Sequence, residues 1–207
     1  MRVVSFVTQK GGSGKSTLAA SLAVAAQEAG EKVFLLDADR QGTLARWVER
    51  RETETPGFDR VASSVELEKA IDLLSRQSYS LVVVDTAGAD SPTTAAAIRL
   101  ADLCLVPARP TPADLEATQP TLEAIQSTRR KLAFVLSQAP TSRSARLTEA
   151  VSALRILGVM AEPPIAQRND HQDAMGTGLG VTEYNTHGKA ADEIRQLWAW
   201  VAKKMKG

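Results

Sequence analysis

The chain has 207 residues, 43% of them hydrophobic, which suffices for one α/β domain with a substantial core; an aromatic share of 4% means that core must rest on Ala, Val, Leu and Ile. A net charge of +1 excludes a polycation that binds nucleic acid through bulk charge, and the single Cys104 excludes an intrachain disulfide or an all-cysteine cluster. The opening apolar run is too short for a signal peptide and no stretch reaches the ~18 apolar residues of a membrane span, so a cytoplasmic protein not integral to a membrane is expected.

Short β-branched runs alternate with Ala/Leu/Glu-rich stretches. Val3–Thr8 reads as a strand, Lys15–Ala29 as a helix stopped by Gly30, Lys32–Asp37 as a strand and Thr43–Arg51 as a short helix. Arg51–Asp59, with Pro56 and Gly57, reads as a loop, and Val65–Arg76 as a helix. Leu81–Asp85 is a continuous apolar run suited to a strand buried on both faces; Thr93–Ala101 is helical and Leu103–Val106 again a buried strand. One helix is expected over Pro112–Thr128 with Pro120 kinking it, then a strand over Leu132–Ser137 and a helix over Ser144–Leu157. An irregular region runs from Pro163 through Gly180, and a last helix covers Lys189–Lys206. The alternation predicts an α/β fold in which a mostly parallel twisted sheet carries helices on both faces, as one P-loop NTPase domain over residues 1–207.

The chemistry concentrates in Gln9-Lys10-Gly11-Gly12-Ser13-Gly14-Lys15-Ser16-Thr17, which follows a predicted strand and opens a predicted helix. Glycines at 11, 12 and 14 let the backbone curl so that successive N–H groups, Ser13 included, face inward, and the helix adds its positive end. This is a cradle for nucleotide phosphates. Lys15 supplies an ammonium to the β- and γ-phosphates, Ser16 a hydroxyl to Mg²⁺, and Thr17 a bond to the α-phosphate. Leu81-Val82-Val83-Val84-Asp85 is a Walker B pattern, in which Asp85 holds Mg²⁺ through water. Asp37 and Asp39 end another strand, lie two apart and point the same way, toward the ligand crevice at the C-terminal edge of a parallel sheet. Each also reads as a strand-end carboxylate that caps the next helix.

Lysine at position 10 and Gln9 where an ordinary Walker A motif has glycine make the loop resemble the deviant Walker A of the ParA/MinD superfamily. The run Asp37-Ala38-Asp39-Arg40-Gln41-Gly42 resembles that family's second motif, with Arg40 in place of its proline, and Pro164–Asp170 resembles its late segment near the adenine. The resemblance implies an ATPase that forms a homodimer around Mg-ATP and hydrolyses it slowly. Lys10 would act on the partner subunit's phosphates, Asp39 would orient the attacking water, and Asp37 would support it or the metal. The absence of residues before the phosphate loop for a DNA-reading domain points to the short ParA forms. In that scheme the dimer binds nucleoid DNA without reading sequence, a small ParB/ParG-like protein stimulates hydrolysis, and the cargo is a plasmid, a chromosome or a protein assembly. A MinD-like regulator on a membrane surface is the alternative.

Arg129, Arg130, Lys131, Arg143, Arg146 and Arg155, with Lys203, Lys204 and Lys206 in the last helix, are either a DNA-phosphate surface or a solvated charged face. Arg143, Arg146, Lys203 and Lys204 are the candidates for DNA contact. Trp198 and Trp200 are expected to pack onto the domain with Leu197 and Val201. Asp114 either contacts the partner or the base, or caps a helix. An electron-transfer ATPase like the nitrogenase iron protein is rejected because its cluster needs two cysteines per chain, and a ligase like dethiobiotin synthetase lacks an identifiable substrate pocket. No role is assigned to His171 or His187.

Overall fold

A computed structural model describes residues 1–142 and 144–206. In chain order the elements are β1 (Arg2–Phe6), α1 (Lys15–Glu28), β2 (Val33–Ala38), α2 (Thr43–Val48), β3 (Gly57–Arg60), α3 (Ser64–Ser75), β4 (Leu81–Thr86) and α4 (Pro92–Leu100). They continue with β5 (Leu103–Ala108), α5 (Pro112–Glu116), α6 (Gln119–Ser127), β6 (Leu132–Leu136), α7 (Ala145–Leu157), α8 (Asn169–Gly176), α9 (Val181–Tyr184) and α10 (Lys189–Lys206).

The six strands form one sheet in the order β3-β2-β4-β1-β5-β6, and every adjacent pair is parallel. Strand β1 lies between β4 and β5, so strand order reverses there and a crevice opens beyond its C-terminal end. Successive side chains of each strand supply opposite layers. Phe6, Leu35, Leu81, Val83, Leu105 and Val135 pack with α1, α2 and α10 on one face. On the other, Leu36, Val82 and Val84 pack with α3 and α4, while Val106, Phe134 and Leu136 pack with α6 and α7. The near-continuous apolar strand sequences follow from this two-sided burial.

Helix α1 is rich in alanine, and from Leu18 to Ala26 every residue is buried. Small side chains let it lie close against the sheet, which fixes the helix that carries the phosphate loop. Trp47 of α2 is fully buried and its indole N–H donates to the Leu179 carbonyl at 3.0 Å. Trp198, Leu197 and Val201 of α10 are buried in the same layer, as expected from the sequence, and Trp200 packs against it partly buried.

Three expectations need correction. Arg51–Asp59 is not wholly loop, because Gly57–Arg60 pairs with β2 as the edge strand β3. The Pro112–Thr128 helix is two helices that break at Ala117–Thr118, and Pro120 lies in the first turn of α6, where its missing N–H leaves no intrahelical bond unmade. The stretch from Pro163 to Gly180 contains α8, and α9 follows it, in place of continuous irregular chain.

Candidate functional site

The phosphate loop leaves β1 at the centre of the sheet and enters α1 at Lys15. Gly12 and Gly14 adopt left-handed conformations, φ 76° and 90°, which glycine reaches without steric cost. The carbonyls of Gly12 and Ser13 are held from the end of β6. The Gln138 amide donates to Gly12 O at 2.9 Å and the buried Ser137 hydroxyl donates to Ser13 O at 2.8 Å. A cavity of about 500 Å³ lies over the loop, lined by residues 11–17 with Asp39, Gln41, Thr43, Gly88 and Gln138. The structure thus brings the loop and Asp39 to one space.

Lys15 is only 7% exposed, and its ammonium donates to the Lys10 carbonyl at 3.3 Å. Burial pulls its pKa below the usual lysine range, against the attraction of Asp85 and Asp39. The Lys10 backbone therefore shapes the cradle. Its ammonium makes no ion pair with a carboxylate among the described residues.

Asp85, at the end of β4, is fully buried and neither carboxylate oxygen has a hydrogen-bond partner. Burial lifts its pKa to about 7, a rise tempered by the nearby Ser16 hydroxyl and by Lys15 and increased by Asp37 and Asp39. Among the described residues there is no group of three or more His, Cys, Asp or Glu able to cage a metal. An orphaned carboxylate beside a serine hydroxyl at a phosphate cradle nevertheless fits Mg²⁺, which keeps several waters and takes few protein ligands.

Asp37 and Asp39 have different surroundings. Asp37 is buried and accepts the backbone N–H of Asp39 at 3.0 Å and of Ala45 at 3.2 Å. Burial raises its pKa. Ala45 lies in the first turn of α2, so the carboxylate ties the strand end to the helix start, which is the capping role. Asp39 accepts the Gln41 N–H at 2.9 Å, is half-buried and faces the cavity. Gly88, just past Asp85, sits against the loop. A side-chain carbon there would lie 3.2 Å from Gly11 N and 3.3 Å from Lys15 Nζ.

A second cavity, of about 130 Å³, adjoins the other side of the loop and is lined by Gly14, Thr17, Gln138, Gln167, Arg168 and His171. Its far wall is the Pro164–Asp170 segment, fixed through Ile165 N to Leu136 O and Gln167 N to Ala139 O, both 2.8 Å. Arg168 is paired with Glu193 at 2.6 Å, so its charge is already engaged. The sequence gives no signal for His171, yet it is buried here with both ring nitrogens unpaired, and burial lowers its pKa. Ser137 and Gln138 carry no motif; their place at the C-terminal end of a parallel strand is the one signal the sequence offers for them.

Asp114 is buried on α5 and accepts from Arg109 Nε at 3.0 Å and from the Thr111 hydroxyl. Burial would raise its pKa, but these two bonds hold it below the usual range. Thr111 is the N-cap of α5, its hydroxyl accepting the Asp114 N–H at 3.2 Å, so Asp114 steadies the cap residue and Arg109 and is not itself the cap. Cys104 is buried in β5, its thiol pushed up to about 12 by burial.

Among the described residues the basic candidates do not gather at the crevice. Arg143 lies outside the described residues, as does the side chain of Arg146. Lys203 is exposed and Lys204 half-exposed in the last turn of α10, whose Lys206 acts on Glu31, just before β2. Arg129, Arg130 and Lys131 are exposed just before β6. Both groups therefore lie toward the N-terminal edge of the sheet, opposite the phosphate loop. Arg155 is paired with Glu162 at 3.1 Å.

Residues 4–181 match the CobQ/CobB/MinD/ParA nucleotide binding domain family. The chain is 35% identical over 207 residues to the maintenance of carboxysome distribution protein A of Gloeobacter kilaueensis, covering 99% of this chain and 94% of that protein. Among solved structures it resembles apo McdA of Cyanothece, with a TM-score of 0.78 at 18% identity over all of both chains. It also resembles the septum site-determining protein MinD of Pyrococcus horikoshii complexed with Mg-ADP, with a TM-score of 0.76 at 19% identity over 98% of this chain and 96% of that one.

Proposed function

Since the chain belongs to the CobQ/CobB/MinD/ParA nucleotide-binding family, we propose that it is a slow ATPase switch that pairs with a second copy around Mg-ATP and positions a cytoplasmic cargo. The observation that carries this reading is the junction of two lysines on one loop. Lys15 is buried within the cradle and donates to the Lys10 carbonyl, while the Lys10 ammonium makes no ion pair among the described residues and acts only at longer range on Asp114. A second cation on the same loop, outside the lining of its own phosphate cavity, suits a role in trans, where it neutralises charge that develops during phosphoryl transfer.

In this proposal Gly11, Gly12, Ser13 and Gly14 present amides to the phosphates, Lys15 bridges β- and γ-oxygens, and Thr17 bonds the α-phosphate. Asp39 accepts a hydrogen bond from the attacking water and aims it, and Asp37 holds the Asp39 turn in place. Ser16 and Asp85 would hold Mg²⁺, the latter through water. When bound, Mg²⁺ supplies charge neutralisation to the transferring phosphoryl group. The base would occupy the cavity beside Gln167 and His171.

Similarity to a carboxysome distribution protein across nearly the whole chain supports a protein assembly as cargo over a plasmid or chromosome. The scheme includes sequence-independent contact of the dimer with nucleoid DNA through exposed lysines such as Lys203, and a small ParB/ParG-like stimulator. The buried apolar face of α10, packed on α1, favours this over a MinD-like membrane anchor, since that face is already covered. Calorimetry tests the core of the proposal. Wild type should bind Mg-ATP and Lys15→Ala should not; equal affinity of the two would refute it.

A further inference from the structure

We propose that Gln138, assisted by Ser137, positions the phosphate loop by holding two of its peptide groups in the phosphate-binding orientation; the inference rests on the nucleotide-binding reading above. In a trans peptide the C=O and the following N–H point in opposite directions. Gln138 draws the Gly12 carbonyl toward β6, so the Ser13 N–H turns the other way. Ser137 draws the Ser13 carbonyl in the same manner, and the Gly14 N–H turns with it. These are amides that would meet the phosphates.

The backbone of Gln138 supports a functional origin. Its φ is 50°, in the left-handed region; Arg129 is the only other described non-glycine residue with positive φ. A long side chain is disfavoured there, and such conformations persist where the surroundings over-determine them. The neighbours do so here, with Ser137 N bonded to Ala108 O and Ala139 N bonded to Ile165 O, both at 2.9 Å. Glycine would relieve the conformation but would supply no amide to Gly12. Gln138 also lines both the phosphate cavity and the base-side cavity, so it lies at their seam.

The test is Gln138→Gly, measured for melting temperature and, by calorimetry, for affinity toward Mg-ATP and Mg-tripolyphosphate. The expected result is an affinity loss of about tenfold, equal for both ligands, with a melting temperature that holds or rises. Ser137→Ala should weaken both ligands in the same proportion to each other. Unchanged affinity would overturn the inference, as would a loss confined to Mg-ATP, which would make Gln138 a base contact. A loss that tracks a falling melting temperature would make it merely structural. Wild type that binds neither ligand would instead sink the nucleotide-binding reading itself.

Discussion

Replacing Asp85 with asparagine should stabilise the nucleotide-free protein at neutral pH while it destroys metal-dependent turnover. The carboxyl is fully buried at the end of β4 without a hydrogen-bond partner, and its pKa is lifted from 3.8 to about 7. Its unfolded counterpart ionises near the ordinary value. Stability from the protonated form is therefore fully present below about pH 4 and is lost as pH rises through 7. At roughly 1.4 kcal/mol per pH unit the gap corresponds to about 4 kcal/mol, of which some 2–3 kcal/mol falls between about pH 5 and 8. The side chain of Asp85→Asn is uncharged throughout, so the variant should gain on wild type by this pH-dependent amount. Part is offset because Lys15 loses one of the two carboxylates that favour its charge. Urea unfolding in EDTA at a series of pH values measures it. The stability difference should grow steadily from pH 5 and level off near pH 8. A difference that is flat with pH would refute the claim that a buried, unpaired carboxylate is kept at a cost for its role with the nucleotide.

Asp39→Ala should bind Mg-ATP as wild type does and still dimerise, yet hydrolyse at least about a hundredfold more slowly in a phosphate-release assay. Normal turnover would remove Asp39 from the role of aiming water. Gly88→Ala brings a methyl to 3.2 Å from a backbone nitrogen of the loop that cannot swing aside, so the loop or the turn after β4 must yield. Overpacking of that kind costs about 1–3 kcal/mol, and calorimetry should show Mg-ATP affinity falling about tenfold or more. Unchanged affinity would show that the turn is not tight against the cradle.

What was legible in the sequence is what local spacing encodes. The phosphate loop, the apolar run before Asp85 and the Asp37/Asp39 pair each lie within one strand end and its turn, so the parallel-sheet rule alone points them toward the crevice. Strand β3 was not legible, because Gly57–Arg60 carries two charges, is half or more exposed and is a strand only through pairing with β2. Helix α8, with only His171 and Ala174 buried, has no apolar stripe to announce it. The split between α5 and α6 was hidden for a related reason: proline reads as a kink in an assumed long helix and equally as the start of a new one. Asp37 shows the limit at residue level. Its place at a strand end is legible, but the sequence points it into the crevice with Asp39, whereas Asp39 alone of the two lines the cavity and Asp37 turns to the backbone of Asp39 and Ala45 once α2 has folded back. Gln138 meets Gly12 across 126 residues of sequence, a contact that no local pattern carries.

In the proposed switch two lysines of one loop serve two different nucleotides, Lys15 its own and Lys10 the partner subunit's. Light-scattering mass in solution is the decisive assay. With Mg-ATP the protein should pass from 22.2 kDa to twice that mass, and with Mg-ADP it should not. Lys10→Ala should retain nucleotide binding but lose rapid turnover under stimulation. A chain that stays at the single mass at saturating Mg-ATP, or a Lys10→Ala variant that hydrolyses as wild type does, would contradict the account.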